Sequence, residues 1–326
     1  MKRLLWIPLL LAACQSAPPL NPPSVSLESL LPVSATAVAA KAFVSGNRIL
    51  DLQGKMLAGG NTGRSRNGIP AIGASLDNPG GIVMDPQGRV VFSDTGNHRI
   101  YRIEGRKLAA IAGTGTNFTP IGDGGPATSA QLNRPTGLAF DSQGLLYFAD
   151  SDNHRIRRIL QDGTIETFSG KGAKGHGGDG GAAKDAALNR PEGLAFDEQG
   201  NLYVADTGNH KIRRIRKGTI ETFAGNGEAG FRGDGQAARD ASLDHPTSVL
   251  IQGADVFVAD SGNHRIRWID SYGRIQTVAG DGKVGKAKAG PGLETPLDAP
   301  VLGGDGLLGD SSGLYRLHVE RKIQKP

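Results

Sequence analysis

The sequence lacks most of the patterns that would point to catalysis or to a membrane-spanning segment. Its 326 residues contain one cysteine, Cys14, so no disulfide can form within the chain. No Ser-His-Asp pattern stands out, and none of the glycine-rich segments continues into the Lys-Ser or Lys-Thr of a phosphate-binding loop. The apolar run at residues 4–11 is too short to cross a bilayer. Glycine, in contrast, is abundant and falls in phase with a repeat, which indicates many tight turns rather than disorder.

The N-terminus has the features of an export signal. Lys2 and Arg3 give it a basic start, and the apolar run leads into Leu-Ala-Ala-Cys at residues 11–14. This tetrapeptide resembles the lipobox of bacterial lipoproteins, which implies cleavage before Cys14 and acylation of its thiol. An ordinary cleaved signal and a buried cysteine are the alternatives. We expect residues 1–13 to be a lipoprotein signal peptide.

Residues 14–31 are rich in proline and serine, which predicts an extended tether between the lipid and the domain. Gln15, rather than an aspartate, follows the cysteine. By the bacterial sorting rule this favours the outer membrane and periplasm if the host has two membranes, and otherwise the cell surface. Cleavage removes Lys2 and Arg3 and lowers the formal net charge from +5 to +3, so the basic pI is weak evidence about partners. Export also argues against nucleic acid as a ligand.

A short motif, Asn-His followed by Arg or Lys and then Ile, recurs four times at spacings of 56, 56 and 54 residues. A fixed period of this size is the signature of a repeat architecture. An aspartate precedes each asparagine by three residues. A proline recurs in step at positions 79, 135, 191, 246 and 300, each time three residues after a leucine. The motif residues are Asp94, Asn97, His98, Asp150, Asn153, His154, Asp206, Asn209, His210, Asp260, Asn263 and His264.

One unit contains four short strands joined by tight turns, at residues 137–140, 146–149, 154–159 and 165–168. Four antiparallel strands repeated radially make a β-propeller blade. Six units can be counted, and the first and last lack the Asn-His pair. Two segments could supply the outer strand of the last unit and close the ring, namely residues 321–323 and residues 24–31. We therefore predict an all-β, six-bladed propeller over residues 32–326, with blades at about 32–78, 79–134, 135–190, 191–245, 246–299 and 300–326.

The repeats resemble those of NHL-repeat proteins, which are named for an Asn-His-Leu triplet that here reads Asn-His-Arg or Asn-His-Lys followed by Ile. The likeness covers roughly residue 32 to the C-terminus. It is to bacterial exported NHL proteins in particular, because the chain also has their Gly-Asp-Gly-Gly loop between blades. The resemblance implies a six-bladed β-propeller, in agreement with the count of units.

We expect the motif residues to be structural, because Asp and Asn at the ends of a tight turn bond the local backbone and the His can bridge to the neighbouring turn. Four such histidines lie around a ring and not at one metal ion. The loop aspartates Asp123, Asp179 and Asp234 are expected to form Asx-type turns, since one carboxylate per loop is too few for calcium. His245 has no counterpart in the other repeats and is expected on a loop or at the surface.

The long loops and the Asp-x-x-Asn turns should lie on one rim, where Arg99, Arg155, Lys211 and Arg265 would form a broken basic ring. This ring is a candidate binding surface for an acidic protein or an anionic envelope glycan. The strands further out add more basic residues, and a solvated edge that discourages aggregation is the alternative for them. These residues are Arg157, Arg158, Arg213, Arg214, Arg216 and Lys217.

Related propellers include lactonases and NHL-type amidating lyases, which need metal ligands converging on the central channel. The residue after each phased proline should approach the channel, and among these only Glu192 is ionisable; the set is Val33, Gly80, Thr136, Glu192, Thr247 and Val301. One carboxylate is neither a metal constellation nor an acid–base pair. We therefore expect no catalytic residues, no metal and no cofactor, and interpret the chain as a monomeric, membrane-anchored binding or scaffolding module for a protein or envelope polysaccharide. A metal-dependent lactonase or lyase and a purely structural envelope protein are the alternatives.

Overall fold

The computed structural model describes residues 22–31, 37–39, 41–117, 121–287, 290–303, 307–311 and 313–320. Within this part of the chain, the strands form six separate sheets arranged as the blades of a propeller, as predicted. Residue 33 and residues 321–323 lie outside the described ranges. Among the described residues, no helix is both long and apolar enough to cross a bilayer.

The strands follow one another blade by blade. The N-terminal strand is β1 (Ser24–Leu31), and the first blade contains β2 (Ala37–Ala39), β3 (Ala42–Ser45), β4 (Arg48–Asp51), β5 (Met56–Thr62) and β6 (Ile72–Leu76). The second contains β7 (Gly81–Met84), β8 (Val90–Asp94), β9 (Arg99–Glu104) and β10 (Lys107–Ala112), and the third β11 (Pro135–Phe140), β12 (Leu146–Asp150), β13 (Arg155–Ile159) and β14 (Ile165–Ser169). The fourth contains β15 (Leu194–Phe196), β16 (Leu202–Asp206), β17 (Lys211–Arg216) and β18 (Thr219–Ala224), and the fifth β19 (Pro246–Gln252), β20 (Asp255–Asp260), β21 (Arg265–Ile269) and β22 (Ile275–Ala279). The sixth contains β23 (Gly290–Pro291), β24 (Val301–Gly303), β25 (Leu307–Gly309) and β26 (Leu314–Glu320).

Short 3₁₀ turns connect these strands at two recurring places. Four of them follow the second strand of a blade and carry the Asp-x-x-Asn motif, at Thr95–Asn97, Ser151–Asn153, Thr207–Asn209 and Ser261–Asn263. The others lie in the loops between blades, at Ala127–Ser129, Ala183–Asp185, Ala238–Asp240 and Gly292–Glu294.

The ring closes through the N-terminal strand. β1 pairs antiparallel with β26, for example Ser26 with His318, and so becomes an outer strand of the sixth blade. Leu27 on this strand is 3% exposed. The prediction that residues 14–31 are a tether is therefore wrong for Ser24–Leu31, because this segment gains a strand partner and buries an apolar side chain. Of the two candidates for the closing strand, residues 24–31 supply it.

The second strand of each internal blade is buried on both faces because it is packed between neighbouring blades. β8, β12, β16 and β20 are buried along their whole length. The leucine that precedes each phased proline fills the space between blades and is fully buried at Leu76, Leu132, Leu188, Leu243 and Leu297. Each such leucine contributes roughly 2 kcal/mol of hydrophobic stabilisation. The repeat period thus comes from the packing of one blade on the next.

Near the axis, glycine allows the inner strands to converge. The N–H of Gly137 donates to the carbonyl oxygen of Glu192 in the next blade at 3.0 Å. A Cβ on Gly137 would overlap that same oxygen. A side chain at this position would therefore push the third and fourth blades apart.

The third strand begins one residue later than predicted, at Arg155, because His154 adopts a left-handed conformation with φ of 54°. The irregular spacing of Ile156 and Ile159 has the expected cause, since a bulge interrupts the pairing of β13 with β14 directly after Ile156.

Candidate functional site at the mouth of the axial channel

The Asp-x-x-Asn-His turn forms hydrogen bonds with the connection that precedes its own blade and with the connection that leads into the next blade. In the third blade, Asp150 Oδ1 accepts the N–H of Asn133 at 2.7 Å, and Asp150 Oδ2 accepts an N–H of the Asn153 amide at 2.9 Å. His154 then reaches forward, and its Nδ1 accepts the N–H of Arg190 at 3.1 Å. The turn thereby holds its own blade and the following one together.

The same bonds recur around the ring. Nδ1 of His98 accepts the N–H of Arg134 at 3.0 Å, and Nδ1 of His210 accepts the N–H of His245 at 3.2 Å. Among the described residues, the Nδ1 atom of His264 has no hydrogen-bond partner. The motif histidines therefore lie at separate junctions between blades. Burial is the main cause of the lowered pKa of His98, His154 and His210.

Behind each of three turns lies a buried arginine, and sequence reasoning had placed two of the three, Arg157 and Arg213, on the outward strands. Arg157 has no exposed surface; it pairs with Asp150 at 3.1 Å and with the loop residue Asp123 at 2.5 Å. Both interpretations of the outward basic residues, a binding surface and a solvated edge, are therefore wrong for Arg157 and Arg213, because these side chains are buried at the blade interface. Equivalent pairs join Arg213 to Asp206 and Asp179, and Arg267 to Asp260 and Asp234.

Each loop aspartate therefore pairs with a buried arginine that lies 33 or 34 residues later in the chain, in addition to any role in its own turn. A sequence signal for this pairing existed. Where the second blade has Tyr101 in place of the arginine, Asn67 stands in place of the loop aspartate. The two positions change together, so the charge balance is kept.

The second blade lacks this arginine, so its motif carboxyl group, that of Asp94, has no buried guanidinium beside it. Asp94 is fully buried and accepts N–H groups from Asp77 at 2.7 Å and Asn97 at 2.8 Å. Burial raises the pKa of Asp94 to about 7, although both hydrogen bonds oppose the rise. Tyr101 donates its hydroxyl to the Ser65 carbonyl and supplies no compensating charge.

The predicted basic ring on the rim is largely occupied by internal bonds. Arg99 donates to the carbonyl oxygens of Ser65 and Thr114 at 2.8 and 2.6 Å, and Arg155 donates to those of Asn153 and Lys171. The guanidinium of Arg265 bonds two loop carbonyls in the same way, and the side chain of Lys211 lies against Gly227. Binding of a ligand by these four residues stays a prediction, but the three arginines already hold the loops between blades.

The axial channel is a cavity of about 710 Å³ lined by the inner strands of the six blades. The residues predicted to approach it do line it wherever they are described, namely Gly80, Thr136, Glu192, Thr247 and Val301. Because the first strand of a blade begins where the second ends, this mouth of the channel shares a face with the Asp-x-x-Asn turns.

Glu192 is the ionisable side chain among these positions. It is half-buried, and burial raises its pKa, while the nearby charges of Arg190 and Arg134 oppose the rise. Within the described part of the chain, no group forms a hydrogen bond or an ion pair with the Glu192 carboxylate. A carboxylate in this position is available to a molecule that enters the channel.

Next to Glu192, three charged residues form a bridge along the mouth. Asp152 lies between Arg134 and Arg190, with oxygen–nitrogen distances of 3.4 and 3.2 Å. In the corresponding turns of the other internal blades this position is glycine, at Gly96, Gly208 and Gly262. Asp152 balances one of the two arginine charges, and Glu192 is a second carboxylate near them.

A second polar cluster lies at the junction of the fourth and fifth blades. The Asp244 carboxylate is 2.6 Å from His245 Nδ1 and 3.4 Å from His210 Nδ1. The two imidazole rings meet edge to face with centroids 4.6 Å apart. Sequence reasoning missed this cluster because His245 has no repeat counterpart and lies 35 residues from its neighbour. These are the described residues that could together hold a metal ion.

Comparison with known proteins agrees with this geometry. Residues 102–175 match the family model described as the Teneurin NHL domain, and residues 188–215 match that of the NHL repeat. The chain is a six-bladed β-propeller that contains NHL repeats. This NHL propeller is 28% identical over 283 residues to Teneurin-4 of Mus musculus, a match that covers 58% of the chain and 10% of that protein.

Solved structures share the fold. An auxiliary nutrient binding protein from Bacteroides thetaiotaomicron superimposes with a TM-score of 0.64 at 13% identity, covering 92% of this chain and 77% of that one. A gluconolactonase from Xanthomonas campestris superimposes with a TM-score of 0.55 at 16% identity, covering 94% and 99%. The NHL propeller spans only about a tenth to a third of the length of the curated relatives it matches. These likenesses establish the architecture.

Proposed function

We propose that this NHL propeller is an exported, lipid-anchored binding module that takes a hydroxyl-rich ligand, a unit of an envelope polysaccharide, at the mouth of its axial channel. The observation that supports it is the unpaired carboxylate of Glu192. A half-buried charge without a partner costs free energy, and a ligand hydroxyl that donates to it would recover that cost.

The surroundings of Glu192 suit a polar ligand of low net charge. The two cations of Arg134 and Arg190 are matched by two carboxylates, Asp152 and Glu192, so the mouth offers hydrogen-bond donors and acceptors without a strong field of one sign. The channel volume of about 710 Å³ lies within the range of small-molecule sites. The structural neighbour named as a nutrient binding protein is in keeping with such a role, although the likeness itself extends only to the fold.

Anchoring at Cys14 in the bacterial cell envelope is the second part of the proposal. With Ser24–Leu31 built into the sixth blade, residues 15–23 are left as the link to the lipid. Nine residues span at most about 30 Å, so the blades would be held near the membrane surface. Cys14→Ser should abolish incorporation of labelled fatty acid and shift the protein from the membrane fraction to the soluble fraction. Equal membrane recovery of both forms would contradict lipid anchoring.

Binding is tested by titration calorimetry of the mature chain with soluble peptidoglycan disaccharide and with neutral hexose oligosaccharides, in the presence of a chelator. We expect saturable binding to one of these probes and an affinity about tenfold lower in Glu192→Gln, which loses the charged acceptor. Glu198→Gln is the matched control, since Glu198 is exposed on a hairpin of the same blade at the opposite end of its inner strands. Absence of saturable binding, or equal losses in both variants, would refute the proposal. Retention of an envelope protein on the rim by crosslinking would favour a protein ligand instead.

A metal-dependent lactonase or lyase is the second candidate, because Glu192 and the cluster of His210, Asp244 and His245 lie around the same mouth. The described residues on the axis itself do not form a set of carboxylate and imidazole ligands, since Glu192 is the one such residue among the described post-proline positions. Turnover of gluconolactone by the metal-supplemented protein, lost in Glu192→Gln, would favour this candidate. A purely structural envelope protein predicts no saturable ligand at all.

A further inference from the structure

We propose that His210, Asp244 and His245 form a binding site for a divalent transition-metal ion, with zinc as the expected occupant, at the junction of the fourth and fifth blades. One ligand atom from each residue lies within 4.8 Å of the other two. Two imidazoles and a carboxylate are the donor set that zinc accepts in proteins, and calcium and magnesium prefer oxygen donors alone.

The spacing of the ligand atoms is close to what the ion needs. Zinc–ligand bonds of 2.0–2.1 Å at tetrahedral angles place neighbouring ligand atoms about 3.4 Å apart. His210 Nδ1 and Asp244 Oδ1 are already 3.4 Å apart. His245 Nδ1 lies closer to the same carboxylate, at 2.6 Å, and its ring is on the exposed side of the cluster, where rotation about its side-chain bonds can widen that distance.

Metal binding through His210 Nδ1 replaces one existing contact. That nitrogen now accepts the N–H of His245 at 3.2 Å, a long hydrogen bond, and its lone pair would pass to the ion. Three protein ligands leave the fourth position of a tetrahedral ion open to water or to a ligand at the channel mouth. Because His245 is 61% exposed, the ion has a direct path from solvent.

The other junctions show why the site is specific to this one. The two residues that precede the phased proline are Asn133 and Arg134 at one junction and Asn189 and Arg190 at the next, and neither pair offers a ligand set. Among the described junctions, only the one between the fourth and fifth blades has an aspartate and a histidine before the phased proline. These residues, Asp244 and His245, lie against the motif histidine of the fourth blade, His210. The ion would therefore clamp these two blades.

The neighbouring junctions also supply variants that the fold accepts. Asp244→Asn reproduces Asn133 and Asn189, and His245→Arg reproduces Arg134 and Arg190, which have positive φ values of 53° and 48° like the 44° of His245. Neither change should disturb the blade packing. His176→Ala is the control, since His176 is a lone histidine on the loop between the third and fourth blades.

The test is titration of the mature protein with Zn²⁺, with Mg²⁺ as the non-ligating comparison, and with Co²⁺ as a spectroscopic probe. We expect one saturable Zn²⁺ site, a visible Co²⁺ absorption band and a rise in melting temperature on Zn²⁺ binding. Affinity should fall at least about tenfold in Asp244→Asn and in His245→Arg, and stay unchanged in His176→Ala. Zn²⁺ binding that is absent, or equally strong in the two junction variants, would overturn the assignment. The chelator in the saccharide titration keeps the two proposals separate, because either can fail while the other holds.

Discussion

Replacement of Asp94 by asparagine should remove a pH dependence of stability from the whole domain. Because burial raises the pKa of Asp94 from 3.8 to about 7, the folded state holds this proton more tightly than the unfolded state. Its contribution to the free energy of unfolding is complete below pH 4 and is lost as the pH rises through 7. Between pH 5 and pH 8.5 the loss amounts to about 3 kcal/mol, at 1.36 kcal/mol per pKa unit.

The assay is urea unfolding, followed by intrinsic fluorescence at pH 5, 7 and 8.5, of a chain that begins at residue 22, with the wild-type sequence and with Asp94→Asn. Asparagine keeps an acceptor for the Asp77 N–H but has no charge to bury. The difference between the two unfolding free energies should therefore change by about 3 kcal/mol across this pH range in favour of the variant. Titration of the histidines is common to both proteins and cancels in the difference.

Asp150→Asn provides the matched control at the same place in the third blade. There the carboxylate faces the buried guanidinium of Arg157, so its loss leaves a cation without one of its partners. This variant should be destabilised by about 3 kcal/mol at pH 8.5, where Asp94→Asn is favourable. If both variants lose stability alike, or if the Asp94→Asn difference does not vary with pH, the argument from the missing arginine is wrong.

Three further predictions concern the bonds between and within blades. Arg213→Met should lower the free energy of unfolding by about 3 kcal/mol at neutral pH, measured in urea, because its buried aspartate loses its cation; a neutral result would show that the pair only balances its own desolvation. His154→Ala should lower the free energy of unfolding by about 1 kcal/mol more than His264→Ala, because His154 forms a hydrogen bond to the next blade and His264 does not. Equal losses in urea unfolding would contradict a stabilising role for this hydrogen bond. A chain lacking residues 22–31 should lose at least about 3 kcal/mol relative to one that begins at residue 22, because the closing strand and its buried leucine are gone; similar melting curves would mean that the ring closes by another route.

The repeats make the blades predictable, because their determinants are local. The turn that carries Asp150 and Asn153 is fixed by hydrogen bonds between residues a few positions apart. One further hydrogen bond comes from the backbone N–H of Asn133, in the connection before this blade. The phased leucine and proline mark where one blade ends and the next begins. These features gave the number of blades, the strands and the residues that line the channel.

The burial of Arg157 could not be read from its strand in the same way. The sequence places two arginines side by side in this strand and does not show which of them is buried. Arg158, the neighbour of Arg157, lies at the surface, where it pairs with Glu166. Which of the two enters the blade interface depends on the bulge after Ile156 and on the loop aspartate that arrives from the preceding connection. A comparison of the chain's own repeats would have revealed the pairing through Tyr101 and Asn67.

The sequence by itself determined the propeller, since each unit contains its own turns, strands and packing residues at a fixed period. Only the tertiary structure decided how the ring closes, because β1 meets β26 across almost the whole length of the chain. It also decided that His210 meets Asp244 and His245, and that Glu192 faces the channel without a partner. These contacts join separate blades, and their geometry depends on how six units are placed around one axis.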